Sequence, residues 1–204
     1  MRQVLKVEIR AANDATIEGY VNAVGRDSRV MRKADGGKFV EQIVPKTFGA
    51  AIGAADNIEV RFNHGEVLGD TAGGSLELYE DNIGLFARAK VTDPLVIEKA
   101  KNKELRGWSF GFICKNARWE SAGEGLERRF IDDLSLKEVS ILDKTPAYIA
   151  TSIEMRGEEA DFLERRAEAE ECEVRELAPP DEGGKETKAN TQAYEKEIEF
   201  LRIK

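Results

Sequence analysis

Apolar and polar residues alternate over much of the first three quarters of the chain, which indicates a protein built mostly from short strands. VLKVEIRAA (4–12) and ATIEGYVNAVG (15–25) keep this period of two, and Asn13–Asp14 between them is a turn signal. SLELYEDNIGLFARAKV predicts a hairpin, because EDN leads into a glycine between two alternating runs. DSRVMRKADGGKF (27–39) predicts a loop or a wide hairpin.

Two segments break the alternation and predict helices. VPKTFGAAIGAA (44–55) places a proline near a helix start and follows it with small and apolar residues. DPLVIEKAKNKELRG (93–107) begins with Asp93 as a capping residue and Pro94 in the first turn. Its end is rich in lysine, and Gly107 follows as a stop.

Three further segments, 57–64, 108–120 and 128–142, alternate as strands. The sequence therefore predicts about seven strands and two helices within about 150 residues, without the βαβ order of a parallel sheet. We predict a mainly β fold with peripheral helices (α+β), in which an antiparallel sheet closes into a small barrel.

The acidity of the chain is concentrated in its last quarter. Residues 157–204 contain 15 Asp and Glu but 8 Lys and Arg, a net charge of −7, whereas the remaining residues carry a net charge of −1. We therefore divide the chain into a domain at 1–156 and an acidic, partly helical or disordered tail at 157–204. Neither part has the basic excess of a nucleic-acid-binding surface.

Composition excludes several classes of site. The chain has one histidine and two cysteines, Cys114 and Cys172, which are far apart, so we predict neither a disulfide framework nor a zinc site. MRQVLKVEIR lacks the apolar core of a signal peptide, and no stretch approaches the roughly 18 apolar residues of a membrane span. We expect no cofactor, no membrane partner and a reducing cytoplasm.

His64 is the first candidate catalytic residue, because histidine exchanges protons near neutral pH. The alternation of NIEVRFNH predicts that it shares a face with Ile58, Val60 and Phe62, so that its ring is partly sheltered. It lies where a strand meets a loop, which is a common place for functional side chains. The alternative is a polar residue that simply ends a strand.

Ser109 is the second candidate, as a nucleophile. In WSFGF it lies between Trp108 and Phe110, and the small residues Ser109 and Gly111 form the opposite face of the predicted strand. Such a face leaves room for the backbone of a ligand to approach. The alternative is a serine on the solvated face of an aromatic strand.

Glu138 is the third candidate. The alternation of LSLKEVS predicts that Leu134, Leu136, Glu138 and Ser140 share a face, so that the carboxylate is poorly solvated unless it has a partner. A histidine ring is one suitable partner, since a buried carboxylate holds the ring in one tautomer. The alternatives are a pair with an arginine or exposure at the edge of the sheet. Ser140, on the same face, remains a second candidate nucleophile.

The order of these segments resembles a known family. RFNHGEVLG, the hairpin EDNIGLFARAKV, a helix, LRGWSFGF and LKEVSILDKTPAY together resemble the tailed-phage prohead proteases, which are capsid-maturation serine proteases related in fold to the herpesvirus assemblins. EGYVNAVGR and EQIVPKTFGAAI match as well, and the resemblance runs from about Gly19 to Arg156.

The resemblance implies a catalytic pair, Ser109 in WSFGF and His64 in FNHGE. The herpesvirus relatives use a second histidine on a later strand, and this chain has none, so Glu138 is expected to serve as the orienting acid. By analogy with the relatives, the oxyanion donors are expected in the loop 143–146.

The implied substrates are head proteins: the scaffold, a scaffolding segment of the major capsid protein, and the protease itself, cleaved within 157–204. The implied place of action is the assembling prohead in the bacterial cytoplasm, and the relatives suggest a homodimer. The competing hypothesis is a non-enzymatic assembly module with the same fold, in which the acidic tail contacts the capsid protein or a scaffold.

Overall fold

The structure, a computed structural model, describes residues 4–143 except 12 and 34, together with 153–154, 163–169 and 171–177. These ranges contain strands and two helices, which follow one another in the order below. They are β1 (Val4–Ala11), β2 (Asp14–Ala23), β3 (Met31–Arg32), β4 (Lys38–Ile43), α1 (Thr47–Ala54), β5 (Glu59–Phe62), β6 (Glu66–Asp70), β7 (Leu76–Glu80), β8 (Gly84–Val91), α2 (Pro94–Lys101), β9 (Gly107–Gly123), β10 (Leu126–Leu142), β11 (Ile153–Glu154), β12 (Leu163–Ala169) and β13 (Glu171–Glu176).

Five strands form the first sheet, in the order β13-β1-β2-β8-β7. Strands β1 and β2 are antiparallel and joined at the predicted turn, and β7 and β8 form the predicted hairpin. Buried and half-buried residues alternate along β2 because only one face of this sheet is turned to the core. The alternation in the sequence thus correctly predicted these four strands.

The second sheet has the order β11-β12-β9-β10-β4-β3; in addition, β5 pairs with β10, and β6 pairs with β5. Strand β10 pairs with β9 along most of its 17 residues. On its other side its first six residues, 126–131, pair with β4, and residues 138–141 pair with β5. Strands β4 and β5, which are both distant from β10 in sequence, therefore meet it along one side.

The predicted fold class is confirmed in its coarse form, mainly β with two helices in the described part of the chain. The predicted antiparallel sheet and barrel are not found there: the strands form two sheets, and β1–β13, β10–β4 and β10–β5 are parallel pairs. Alternation reports the period of each strand and not its partner, so it predicted strands correctly but not their pairing. Strands β3 and β4 pair antiparallel and form the wide hairpin that was one of the two alternatives for 27–39, whereas β6 was not predicted.

Both predicted helices are present. Asp93 caps α2, since its carboxylate accepts the Val96 N–H at 2.8 Å. This helix ends at Lys101 rather than near Gly107, which instead begins β9. Neither helix of the described ranges has the length and apolarity needed to cross a membrane.

One continuous set of buried apolar side chains joins the two sheets and the helices. Phe48 of α1 meets Phe110 of β9 edge to face, with ring centroids 5.3 Å apart. Trp108 and Phe112 on the same face of β9 are also buried. The apolar face of β9 therefore fixes the strand in the core, and its other face, with Ser109, is left to build a site.

Two described segments of the predicted tail are strands rather than helix or disorder. Strand β13 extends the first sheet beside β1, and β12 extends the second sheet beside β9. Alternation within LERRAEA is hidden because charged residues occupy both of its faces. The rest of 157–204 lies outside the described residues, and the division at 156 stays a prediction.

Candidate active site

Glu138 lies beside a bulge in β10 that determines the face of its side chain. In the ladder with β9, Leu136 is opposite Phe112. Glu138 is opposite Gly111, so Lys137 is an extra residue on β10. Because neighbouring residues of β9 point to opposite faces, Leu136 and Glu138 do so as well. The prediction that Glu138 shares a face with the leucines before it is therefore wrong, because the bulge turns the carboxylate away from them.

The face that carries Glu138 is called the site face, and it also carries Ser109 and Gly111 of β9 and Ser140 of β10. Gly111 leaves the space that the Glu138 side chain fills. A Cβ atom added at Gly111 would lie 2.7 Å from Cγ and Oε1 of Glu138. The room that the sequence assigned to a ligand is thus occupied by the carboxylate itself.

His64 reaches the site face through a tight turn and not through strand alternation. Strand β5 ends at Phe62, and both Asn63 and His64 are left-handed, with φ of 49° and 61°. The prediction that His64 continues the apolar face of β5 is wrong for this reason. Left-handed backbone is unfavourable for a residue with a Cβ atom and has to be held by its surroundings.

Two sets of hydrogen bonds hold this turn. The Asn63 side chain donates to the Asp143 carboxylate at 2.9 Å and accepts the Asp143 N–H at 3.2 Å. Lys99 of α2 forms an ion pair with the same carboxylate at 2.9 Å. The N–H of His64 itself donates to Oγ of Ser140 at 2.8 Å. The histidine is therefore attached to β10 on both sides of its turn.

The ring of His64 meets the carboxylate of Glu138. Nδ1 lies 2.9 Å from Oε1, and the two side chains are 20% and 5% exposed. A carboxylate at Nδ1 favours the tautomer with its proton there and leaves Nε2 to accept a proton. The pairing that the sequence offered as one of three alternatives for Glu138 is present in the structure.

Two arginines complete the surroundings of Glu138. Arg165 of β12 donates from Nε to Oε1 at 3.1 Å, and Nε of Arg61 lies 3.4 Å from Oε2. Burial alone raises the pKa of Glu138, but the hydrogen bond and charge of His64, followed by those of Arg165, outweigh it and hold the pKa below its ordinary value of 4.5. Glu138 is therefore ionised near neutral pH, as stabilisation of a charged histidine requires.

Ser140 has a structural role in this arrangement. Its hydroxyl accepts the His64 N–H and donates to the carbonyl of Arg61 at 3.2 Å. Its single proton is thus committed to the backbone of β5. We assign Ser140 to holding the histidine turn rather than to nucleophilic attack.

Ser109 lies on the site face directly opposite Ser140 but is fully buried. The alternative of a serine on a solvated face is therefore wrong. Its hydroxyl donates to the backbone carbonyl of Arg166 in β12 at 2.7 Å. A serine hydroxyl has one proton, so the Ser109 proton is given to β12 and not to His64.

The expected oxyanion loop is only partly described. The N–H of Asp143 already donates to Asn63, and residues 144–146 lie outside the described ranges.

The described residues contain no group of three or more His, Cys, Asp or Glu side chains arranged to bind a metal ion.

Sequence patterns alone did not identify the roles of Gly111, Ser140 and the two arginines. Ser140 was recognised as a neighbour of Glu138, but its contact with a backbone N–H has no signature in the sequence. Arg61 follows the alternation of β5, and its position opposite Ser140 was available once β5 was paired with β10. Arg165 lies in the predicted tail, where no pattern indicated a strand.

The chain was also compared with known proteins. A model of the caudovirus prohead serine protease family matches residues 3–165. Neither the curated proteins nor the solved structures include a match to this chain. Because the family model covers most of the chain, the chain belongs to the caudovirus prohead serine proteases and is a serine peptidase of phage capsid maturation. The hypothesis of a non-enzymatic module is set aside on this finding.

Proposed function

We propose that this prohead protease uses Ser109 as its nucleophile, His64 as its general base and Glu138 as the acid that orients the histidine. The observation that carries the proposal is the 2.9 Å contact between Nδ1 of His64 and Glu138, on the face that also carries Ser109. A nucleophile, a base and a group that fixes the base are the parts that acyl transfer to serine requires.

In the proposed first step, Nε2 of His64 takes the proton of the Ser109 hydroxyl as Oγ attacks the carbonyl carbon of a peptide bond. Glu138 offsets the positive charge that forms on the ring. The tetrahedral intermediate collapses as the histidine gives its proton to the departing amine, which leaves an ester at Ser109. A water molecule, deprotonated by His64, then hydrolyses this ester and restores the serine.

Backbone N–H groups are expected to stabilise the oxyanion, and one such donor contributes about 3–4 kcal/mol in other enzymes. The loop 143–146 remains our proposal for part of this site. The N–H of Asp143 could stabilise the oxyanion only if its hydrogen bond to Asn63 broke. We therefore expect the oxyanion donors among the residues that follow Asp143.

The proposed substrates are the scaffold or the scaffolding segment of the major capsid protein, and the protease itself within 157–204. The proposed place of action is the assembling prohead inside the host bacterium. Extended backbone enters a protease site most readily from polar segments that are poorly packed, and the composition of the acidic tail is of this kind.

The homodimer that the resemblance implies is tested by sedimentation of the purified chain.

A fluorophosphonate probe tests the nucleophile. We expect slow covalent labelling of the full chain at Ser109, because the buried hydroxyl is reached only when β12 opens, and loss of labelling in Ser109→Ala; both are read by intact-mass and peptide mass spectrometry. Ser121→Ala, an exposed serine further along the same strand, is the matched control and should label normally. Labelling that persists in Ser109→Ala would refute the assignment.

Co-expression with the major capsid protein tests the base and the substrates together. His64→Ala should slow cleavage of the capsid protein by at least about 10⁴-fold while particles still assemble. The intact mass of the protease in the same particles reports self-cleavage: loss of tail residues is expected in the wild type and not in His64→Ala. An unchanged mass of the wild-type protease would contradict self-cleavage, but it would not contradict the assignment of Ser109 as the nucleophile.

A further inference from the structure

Strand β12 covers Ser109 in the manner of a bound peptide. It pairs antiparallel with the Gly107–Ile113 edge of β9, and Ala167 lies opposite Ser109. The carbonyl oxygen of Arg166 is 2.7 Å from the Ser109 hydroxyl, which places its carbonyl carbon no more than about 3.9 Å from Oγ, given a C=O bond of about 1.23 Å. A peptide bond of β12 is thus close to the distance at which a serine attacks.

Two arginine–carboxylate pairs fasten β12 to the sheet on the face opposite the site. Glu164 of β12 receives two hydrogen bonds from Arg129 of β10, at 2.7 and 2.8 Å. Arg166 of β12 donates twice to Glu41 of β4, both at 2.8 Å. Both pairs are bidentate, the arrangement that makes an arginine–carboxylate contact geometrically specific. A further contact, from Arg166 to Glu164 at 2.6 Å, joins the two pairs.

The part of this cluster that stays with the sheet is complete without β12. Arg129 also contacts Glu41 at 3.0 Å, so this half-buried arginine and the buried carboxylate form a neutral pair. A strand that replaces β12 meets Arg129 at one of its positions and Glu41 two residues further on. It therefore needs an acidic and a basic residue at positions i and i+2, which face the same side of a strand.

We propose that the Gly107–Ile113 edge of β9 is the substrate-binding edge of this protease, that Glu41 and Arg129 select an extended segment with the pattern acid-x-base, and that β12 occupies this edge as an internal competitor. This inference rests on the proposed role of Ser109. Main-chain hydrogen bonds along an edge supply affinity in such strand additions, and the alternate side chains supply specificity. The substrate class is accordingly an extended peptide that carries Glu or Asp two residues before Arg or Lys.

Peptide binding to the full chain tests this proposal without any catalysis. The protein carries His64→Ala, which prevents turnover, and Glu164→Arg with Arg166→Glu, which oppose like charges at Arg129 and Glu41 and so release β12. The probes are two fluorescent peptides of equal composition and charge: DFLERRAEAEE, the sequence of 161–171, and DFLRREAEAEE, in which the acid and the base are exchanged. Binding is measured by fluorescence anisotropy, and circular dichroism confirms that each variant is folded.

We expect the first peptide to bind at least about ten-fold more tightly than the exchanged one. Glu41→Gln added to this variant should weaken the preference. In a protein that keeps the native β12 and carries His64→Ala, Glu41→Arg with Arg129→Glu should also release β12 by repulsion, and it should reverse the preference. If the released variant does not fold, Glu164→Gln with Arg166→Gln is used instead, because it weakens β12 without repulsion.

Equal affinity for the two peptides, or no binding of either by a folded variant, would overturn the proposal. Neither result touches the role of Ser109, which the fluorophosphonate experiment decides separately. Conversely, selective binding of the first peptide, together with no labelling of Ser109 in Glu164→Arg with Arg166→Glu that keeps His64, would keep the binding edge and remove the proposed nucleophile.

Discussion

The two halves of the candidate site are built in different ways. The half that contains His64 and Glu138 is held mainly by residues in or directly after β5 and β10, through the Asn63–Asp143 pair and the bond from His64 to Ser140, and its one contact with β12 is Arg165. The half that contains Ser109 is closed by β12, a strand from the region we predicted to be a tail. The proposed base and its acid are thus prearranged, whereas access to the proposed nucleophile depends on a segment attached at one edge of the sheet.

This difference has a physical basis in the connections of the chain. The histidine turn is fastened at several points to strands inside the sheet, so that no single contact releases it. Strand β12 lies next to an edge, where it is held by its ladder with β9, by the bond from Arg165 to Glu138 and by one cluster of charges. Variants of the two halves should accordingly change the labelling rate of Ser109 in opposite directions.

The largest effect is expected from Glu138→Gln. The amide keeps the shape of the side chain but neither favours the required tautomer nor offsets a charge on His64, so the labelling rate at Ser109 should fall by about 10³–10⁴-fold. Glu59→Gln on β5 is the matched control, since Glu59 contacts Arg61 but not the histidine. A labelling rate within a factor of about two of the wild type would show that Glu138 does not orient the base.

The next largest effect is expected from Glu164→Gln, which breaks the cluster that holds β12. Removal of one member of a buried ion pair costs about 3–5 kcal/mol, and here the loss is limited to the free energy with which β12 is attached. Hydrogen exchange should show loss of protection along β12 and the adjoining edge of β9, with protection retained at β5 and β10. Urea unfolding measures the total change in the free energy of unfolding.

Arg128→Gln is the matched control for the cluster. Arg128 forms a bidentate pair with Asp27 at the surface, and exposed pairs contribute about 0–1 kcal/mol. Equal losses of stability in Glu164→Gln and Arg128→Gln would contradict the view that burial makes the β12 cluster important for stability.

Faster labelling of Ser109 is also expected in Glu164→Gln, because the serine becomes accessible when β12 is loosened.

A smaller effect is expected from Gly111→Ala. The added methyl group would lie 2.7 Å from two atoms of Glu138, so the carboxylate has to move away from His64 at a cost of about 1–3 kcal/mol. Gly53→Ala in α1 is the control, since its methyl group meets nothing within 4 Å and alanine favours a helix. Gly111→Ala should lower both the labelling rate and the stability, whereas Gly53→Ala should lower neither.

The smallest effect is expected from acidification. Burial raises the pKa of Glu138 and of Glu164, but hydrogen bonds from His64 and Arg129, respectively, outweigh it and leave each pKa below 4.5. A carboxyl group with a lowered folded-state pKa stabilises the protein above its unfolded-state pKa, and this stabilisation is lost as the pH falls through the folded-state value. The free energy of unfolding should therefore decrease as the pH falls below 4.5, and less steeply in Glu164→Gln. Identical slopes would contradict the assignment for Glu164.

Much of the fold followed from the alternation of residues, for a simple reason. Strands with one face in the core must repeat every two residues, so β1, β2, β7, β8 and β9 were visible in the sequence. Partners in a sheet are set by packing over long distances along the chain. The parallel pairs of β10 with β4 and β5 were consequently missed, and so was the separation into two sheets.

The candidate site was predictable as a set of residues but not as a geometry. His64 and Glu138 were selected partly on faces that the structure assigns differently, because the sequence shows neither the left-handed turn at Asn63 nor the bulge at Lys137. Each irregularity moves one side chain from the predicted face to the site face. Local backbone irregularities of this kind break the period on which the prediction depended.

Strand β12 belongs to the same chain as the sheet on which it lies. This covalent connection determines how easily a substrate peptide displaces β12 from the edge of β9. A tethered segment acts as if it were present at a millimolar effective concentration, whatever the dilution of the protein. A free peptide at micromolar concentration displaces such a competitor rarely, whereas substrate chains crowded into a closed particle reach concentrations at which they replace it. A protease regulated in this way responds to confinement: it stays quiescent in dilute solution and begins to cut where its substrates are enclosed with it.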